Sequence, residues 1–408
     1  MLPGATRFRT ARSVRPAIRF PVTLLLGLQY LALAVLPAIL NDNSYLPFIV
    51  SIVAAALLTA VLSEWLFRVA WPSHPGPQAT HYPGLMPVAI VTGTGAVALL
   101  AATWLGAGTY ATQVGATNAS PLTTLLTPLQ PWLTVGSGFA LASWYAGTLS
   151  RRAVIVLIAV ALAAQLISAL SIARLAPVMN FGLCLGAALV MVGFIRPRWI
   201  LIGFAAALLV WPVLYAARDA ARTEVLGLAA QSSLDPSSRL REDLLLQQAA
   251  VFGDATRLPQ PSAMDILRFG LIPRALDPNR GSLPGGTTLS LALGSTSTSS
   301  STFTLLGTIW SLDGGYLGVI IYVGSVCLAF SLVSRRLTPV RLALAMLLVS
   351  QLLWIEATYP DNLAAVLQGL VGLAFAWVTV VVVSTAGKGD KATGIGLRRD
   401  SAPITDHG

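Results

Sequence analysis

The chain has 408 residues, 55% of them hydrophobic and only 10% charged, with a formal net charge of +10. A soluble domain carries about 25% charged residues, so this composition excludes an ordinary water-soluble fold and points to a polytopic membrane protein. The two cysteines, Cys184 and Cys327, lie inside apolar runs, and His74, His81 and His407 are scattered, so neither a disulfide framework nor a metal centre is expected.

In chain order, residues 1–20 are basic, with Arg7, Arg9, Arg12, Arg15 and Arg19. The apolar run that follows is a full span with no small-residue cleavage site, which reads as an uncleaved first helix. A helix rises about 1.5 Å per residue, so roughly 20 apolar residues cross the hydrocarbon. Windows of that length fall at 21–40, 45–63, 85–105, 131–149, 153–172, 177–195, 199–217, 316–333, 338–355 and 363–384. Backbone in lipid must satisfy its own hydrogen bonds, so all ten are predicted helices. Residues 303–312 are apolar but short, and read as either a re-entrant segment or an extension of the next helix. The expected fold class is all-α: a transmembrane bundle of about ten spans with one large, partly helical extracytoplasmic loop. Its organisation is a basic cytoplasmic segment (1–20), spans one to seven (21–217), the loop (218–302), spans eight to ten (303–384) and a disordered cytoplasmic tail (385–408).

Orientation follows from the excess of Lys and Arg in cytoplasmic loops. With both termini inside, the cytoplasmic side holds the N-terminal arginines, Arg68, Arg151, Arg152, Arg196, Arg198, Arg335, Arg336, Arg341 and the basic tail. Arg174 is then alone in the short outer loops. The 218–302 loop departs from the pattern with eight arginines and eight acids, but long loops translocate largely regardless of charge. Within it, 235–253 reads as an amphipathic helix with Leu240, Leu244 and Leu245 at helical spacing. Ser262 to Asp265 fits a capping box that opens a second helix, ended by Gly270 and Pro273. Arginine holds phosphate bidentately and stays charged at any working pH. Its use here, without Lys or His, fits an anionic lipid-linked ligand; surface ion pairing is the competing reading of each arginine taken singly.

Arg174, at the outer end of the fifth span, either snorkels to head groups or faces a cavity under the loop. Asp313 stands before two glycines at the mouth of the eighth span, as a helix N-cap or as a partner for arginine. Glu356 and Asp361 share a short outer turn on the same side. No GxxxxGK[ST] loop and no HExxH motif is present.

These features resemble the bacterial O-antigen polymerase family, the Wzy-type polymerases. The residues that carry the likeness are Arg174, the hairpin Arg196-Pro197-Arg198, the span ending at Arg218, then Arg268, Pro273-Arg274 and Arg280 in the loop and the glycine-rich entry Gly315-Tyr316-Leu317-Gly318. The likeness covers about residues 150–335; Asp313-Gly314 stands where the family has an aromatic or acidic residue before the glycine entry. It implies a glycosyltransferase that joins polyprenyl-pyrophosphate-linked oligosaccharides at the outer face of the cytoplasmic membrane, without nucleotide or metal cofactor. It implies membrane lipids, a flippase and a chain-length regulator as partners, and no nucleic acid. Arg274 and Arg280 would stabilise the leaving pyrophosphate, with Arg174, Arg218 and Arg268 binding substrate. Asp277, Asp313, Glu356 and Asp361 are candidates for the base at the acceptor hydroxyl. An O-antigen-ligase-like enzyme is the nearest alternative. Ligases of that group carry an outer histidine, whereas all three histidines here fall on the cytoplasmic side of the predicted topology. A flippase or transporter component is the alternative from another class.

Overall fold

A computed structural model describes residues 21–71, 82–107, 120, 122–172, 175–224, 241–255, 262–272, 277, 304–357 and 361–393. Among them the secondary structure is helical, with no strand. Each of the ten apolar segments is a helix, as a backbone in lipid requires.

Seven helices are long and apolar enough to cross a membrane. They are α1 (Val22–Leu40), α2 (Leu46–Ala70), α3 (Leu85–Trp104), α5 (Arg151–Ser171), α7 (Arg198–Glu224), α11 (Tyr316–Ser334) and α13 (Asp361–Thr393). The other three are shorter than expected: α4 (Trp132–Tyr145), α6 (Ala176–Met191) and α12 (Pro339–Leu352) have 14, 16 and 14 residues. At about 1.5 Å per residue such helices reach only some 21–24 Å. Two of them end early for one reason. Gly147 and Gly193 take left-handed φ of 79° and 71°, and the next amides, Thr148 and Phe194, return to the Ser143 and Leu189 carbonyls at 2.9 Å. This is a glycine stop that satisfies the last carbonyls.

The interior is built from these shorter helices. α4 buries 11 of its 14 residues, among them Leu133, Phe139 and Leu141, between α3 and α12. Gly138 permits the contact, because a Cβ there would lie 2.6 Å from the Ala343 Cα of α12. Leu342, Ala343, Met346 and Val349 of α12 are buried in turn.

Three further helices flank the bundle: α8 (Asp243–Ala255), α9 (Ala263–Leu271) and α10 (Leu305–Asp313). α8 begins at Asp243, so Arg241 and Glu242 precede it instead of lying within it. Its buried side is Leu246, Ala249 and Ala250, packed on α10, while the predicted stripe residue Leu244 is 40% exposed. Leu240 lies outside the described residues. The Ser262–Asp265 capping box is present on α9, with the Asp265 amide donating to Ser262 Oγ and the Ser262 amide to Asp265 Oδ2, both at 3.1 Å. Gly270 does not end that helix; it sits inside it and faces Leu367 of α13. The 303–312 segment is a separate helix, α10, capped by Thr304 and joined to α11 through Gly314 and Gly315. Asp313 is therefore the last residue of α10, and the N-cap position of α11 is Gly315 instead. α7 continues past the expected boundary at 217 to Glu224, and α13 runs past 384 to Thr393.

Candidate functional site

α7 stands apart from the bundle. Only 11% of its membrane-length window is buried, and its main contacts are to α5 and α6. Between α7 and α6 lies a cavity of about 390 Å³, within the range of small-molecule sites. Small residues open it: Gly182 and Gly186 of α6 face Gly203 and Ala207 of α7. Aromatic rings line it, with Trp199, Phe204, Trp211 and Tyr215 on α7 and Trp354 opposite. The lining runs from Trp199 to Arg218. Nineteen helical residues separate these two, or about 28 Å along α7 at the usual rise, close to the thickness of a bilayer core. Pro212, midway, withholds an amide from the Leu208 carbonyl, which loosens the helix beside the cavity.

The cavity is apolar along α6 and α7 and charged at one end, where Arg218, Glu242 and Glu356 line it together with Gln29. Arg218 is aimed by its neighbours. Its Nε and Nη2 donate to Asp219 Oδ1 at 3.1 and 2.6 Å, and its guanidinium lies 3.5 Å over the Tyr215 ring. The side chain is 11% exposed.

Glu242 is held by the first helix. α1 contains a π turn at Leu31–Val35, and Pro37 has no amide for the Leu33 carbonyl four residues back. The Glu242 amide donates to that carbonyl at 2.7 Å. Glu242 is 3% exposed and its Oε2 makes no hydrogen bond. Burial, then the nearby carboxylates of Glu356 and Asp243, push its carboxyl well above the usual carboxylate range. Asp243 beside it is fully buried and matched by Arg241 at 3.1 Å and by Asn43 Nδ2 at 3.1 Å.

Glu356 comes from the turn after α12. Gln29, 1% exposed on α1, fixes that turn: its Nε2 donates to the Leu25 and Leu353 carbonyls, and the Ile355 amide donates to its Oε1, all at 3.0 Å. The Ile355 carbonyl accepts from the Leu305 amide at 2.7 Å, and the Leu306 amide donates to the Tyr30 hydroxyl. The non-helical backbone of this turn is thus satisfied by protein groups and lines a cavity, the circumstance in which a membrane bundle tolerates irregular backbone.

Of the residues expected at a site, Arg218 and Glu356 meet at this cavity. Arg268 and Asp277 do not line it; they pair with each other, Nε to Oδ2 at 2.5 Å and Nη2 to Oδ1 at 2.8 Å. That is the ion-pair reading of a loop arginine, and it occupies the carboxylate of Asp277. Asp313 and Asp361 sit at the C-terminus of α10 and the N-terminus of α13, and their side chains, like Arg174, Arg274 and Arg280 altogether, lie outside the described residues. Two residues were missed. Glu242 is one acid among eight in its loop and nothing local marks it. Gln29 was discoverable as a polar side chain inside an apolar run. Among the described residues no three His, Cys, Asp or Glu converge on a metal position. A second hollow, between Glu64, Arg68, Cys327 and Ser334, has a volume of only about 10 Å³.

The chain matches no protein-family model, no curated protein and no solved structure.

Proposed function

We propose that this chain is a membrane-embedded glycosyltransferase that polymerises polyprenyl-pyrophosphate-linked oligosaccharides at the outer face of the cytoplasmic membrane, for a cell-surface polysaccharide. The observation that carries the reading is the α6–α7 cavity, apolar over about the depth of a bilayer core and ending at Arg218 beside two acids. A polyprenyl chain matches the apolar, aromatic-lined length. A pyrophosphate matches a guanidinium whose direction is preset by Asp219 and Tyr215. In the topology set by the positive-inside rule, both termini are cytoplasmic, and the charged end opens on the side of the 218–302 loop. Arg274, Arg280 and Arg174 belong to this reading as further phosphate ligands.

Deleting the gene and analysing the lipid-linked glycans tests it. Accumulation of single repeat units on the carrier is the expected result. Intact polymer left on its carrier would select ligation to another acceptor; repeat units trapped on the cytoplasmic leaflet would select a flippase role. An unchanged profile of lipid-linked glycans would overturn the whole reading.

A further inference from the structure

Resting on that reading, we infer that Glu242 is the catalytic residue that takes the proton from the attacking sugar hydroxyl, with Glu356 as the residue that tunes it. Three observations converge on Glu242. It lines the same cavity as Arg218, the group suited to the leaving pyrophosphate. Its side chain is buried, yet Oε2 has no hydrogen-bond partner. A buried carboxyl oxygen without a protein partner calls for a water, an ion or a ligand group at that point. Its backbone is also pinned to Leu33 at 2.7 Å, which fixes where the carboxyl lies.

The acceptor hydroxyl oxygen forms a bond to the anomeric carbon of the donor glycan. The bond from that carbon to the pyrophosphate oxygen breaks, and its electron pair leaves on the pyrophosphate, facing Arg218. The hydroxyl proton passes to Glu242 Oε2 and returns to water when the products leave. No metal or nucleotide enters the balance.

The surroundings tune this proton acceptor. Glu356 acts on it from the turn after α12, Asp243 from the start of α8 and Tyr30 from α1, while Arg218 of α7 lines the same cavity. Of the two neighbouring carboxylates that act on Glu242, Glu356 has the larger effect and Asp243, which is bonded to Arg241, the smaller. Desolvation and these like charges make the Glu242 carboxylate a stronger base than a carboxylate in water, the direction a general base requires. Glu356, in this arrangement, acts through Glu242.

The test uses the full chain in membranes from the deletion strain, with the lipid-linked glycan accumulated there as substrate, and follows turnover against pH. Wild type should lose activity as pH falls, with a midpoint above the ordinary carboxylate range. Glu242→Gln, which keeps shape and hydrogen-bonding capacity, should lower kcat about a hundredfold or more, remove the acidic limb and leave KM within about threefold. Glu356→Gln should remain active but move the acidic midpoint to lower pH. A Glu242→Gln protein with wild-type kcat and an unchanged acidic limb overturns the base assignment while leaving the transferase reading intact. Wild-type membranes that do not consume the lipid-linked glycan overturn the reading itself, and the base assignment with it. Proper folding of each variant is checked by its detergent-solubilised melting profile, and Glu242→Asp distinguishes chemistry from shape: partial recovery of kcat is expected, and none would count against a carboxylate role.

Discussion

The amide of Glu242 donates to the carbonyl of Leu33 over 2.7 Å, and this bond ties the segment before α8 to the first helix of the bundle. Pro37 supplies no amide to that carbonyl from four residues on. Pro37→Ala restores a competing donor within α1. A net hydrogen bond contributes about 1 kcal/mol, roughly a fivefold change in an opening equilibrium. The Glu242 amide should therefore exchange with solvent about fivefold faster in this variant, as read by mass spectrometry of peptides covering 241–246. Unchanged exchange would show that the tie does not depend on Pro37.

Gln29 carries two hydrogen bonds from α1 to the turn that presents Glu356, to the Leu353 carbonyl and from the Ile355 amide. Gln29→Leu is close in volume but leaves the Ile355 amide without its acceptor in a buried place. The expected loss of stability is about 1–3 kcal/mol, seen as a lower melting temperature in detergent. Because the turn also sets the distance between Glu356 and Glu242, the acidic midpoint of turnover should move as well. A shift in melting with an unmoved midpoint would mean that Gln29 supports the fold without setting the acid pair.

Two glycine substitutions should separate packing from the site. A Cβ at Gly138 would lie 2.6 Å from the Ala343 Cα, whereas one at Gly182 meets nothing within 4 Å and projects where α6 lines the cavity. Gly138→Leu therefore forces α4 away from α12 and costs at least the usual 1–3 kcal/mol or so of overpacking, with poor accumulation in membranes. Gly182→Phe fills empty space. It should accumulate normally and lose both transfer and protection by added polyprenyl phosphate in thermal-shift measurements. Normal transfer by Gly182→Phe would exclude the α6–α7 cavity as the lipid site.

These contrasts bear on what a sequence reveals in such a chain. Apolar runs identified every helix of the bundle, since lipid leaves the backbone no other way to bond itself. Helix length was less legible: Gly147 and Gly193 look like ordinary loop residues until their left-handed turns are seen to cut α4 and α6 short. The capping box of α9 was legible because Ser262 and Asp265 are three residues apart and bond each other's backbone and side chain. Glu242 was not, because its burial depends on a carbonyl in α1 that lies far away in sequence. Arg218 and Glu356 stood out as charges beside apolar runs, but their meeting across one cavity is a tertiary fact. The pairing of Arg268 with Asp277 is tertiary in the same sense: nothing in the order of charges selects Asp277 over Asp265, whose carboxylate is held below its usual range by Ser262.

A last prediction concerns stability against pH. The folded-state carboxyl of Glu242 titrates above the value of an unfolded glutamate, so between those two points the folded chain holds more protons than the unfolded one. Stability contributed by the protonated form is then complete below the ordinary glutamate range, about pH 4, and is lost as pH rises through the raised value. Glu242→Gln has no proton to lose. Its melting temperature should match wild type at about pH 4 and exceed it increasingly toward alkaline pH, where wild type must bury a charge. Greater stability with reduced kcat is the pattern of a group kept for function at the expense of the fold. Melting curves of the two proteins that run parallel across the pH range would mean that Glu242 titrates normally, and the proton-acceptor assignment would lose its electrostatic support.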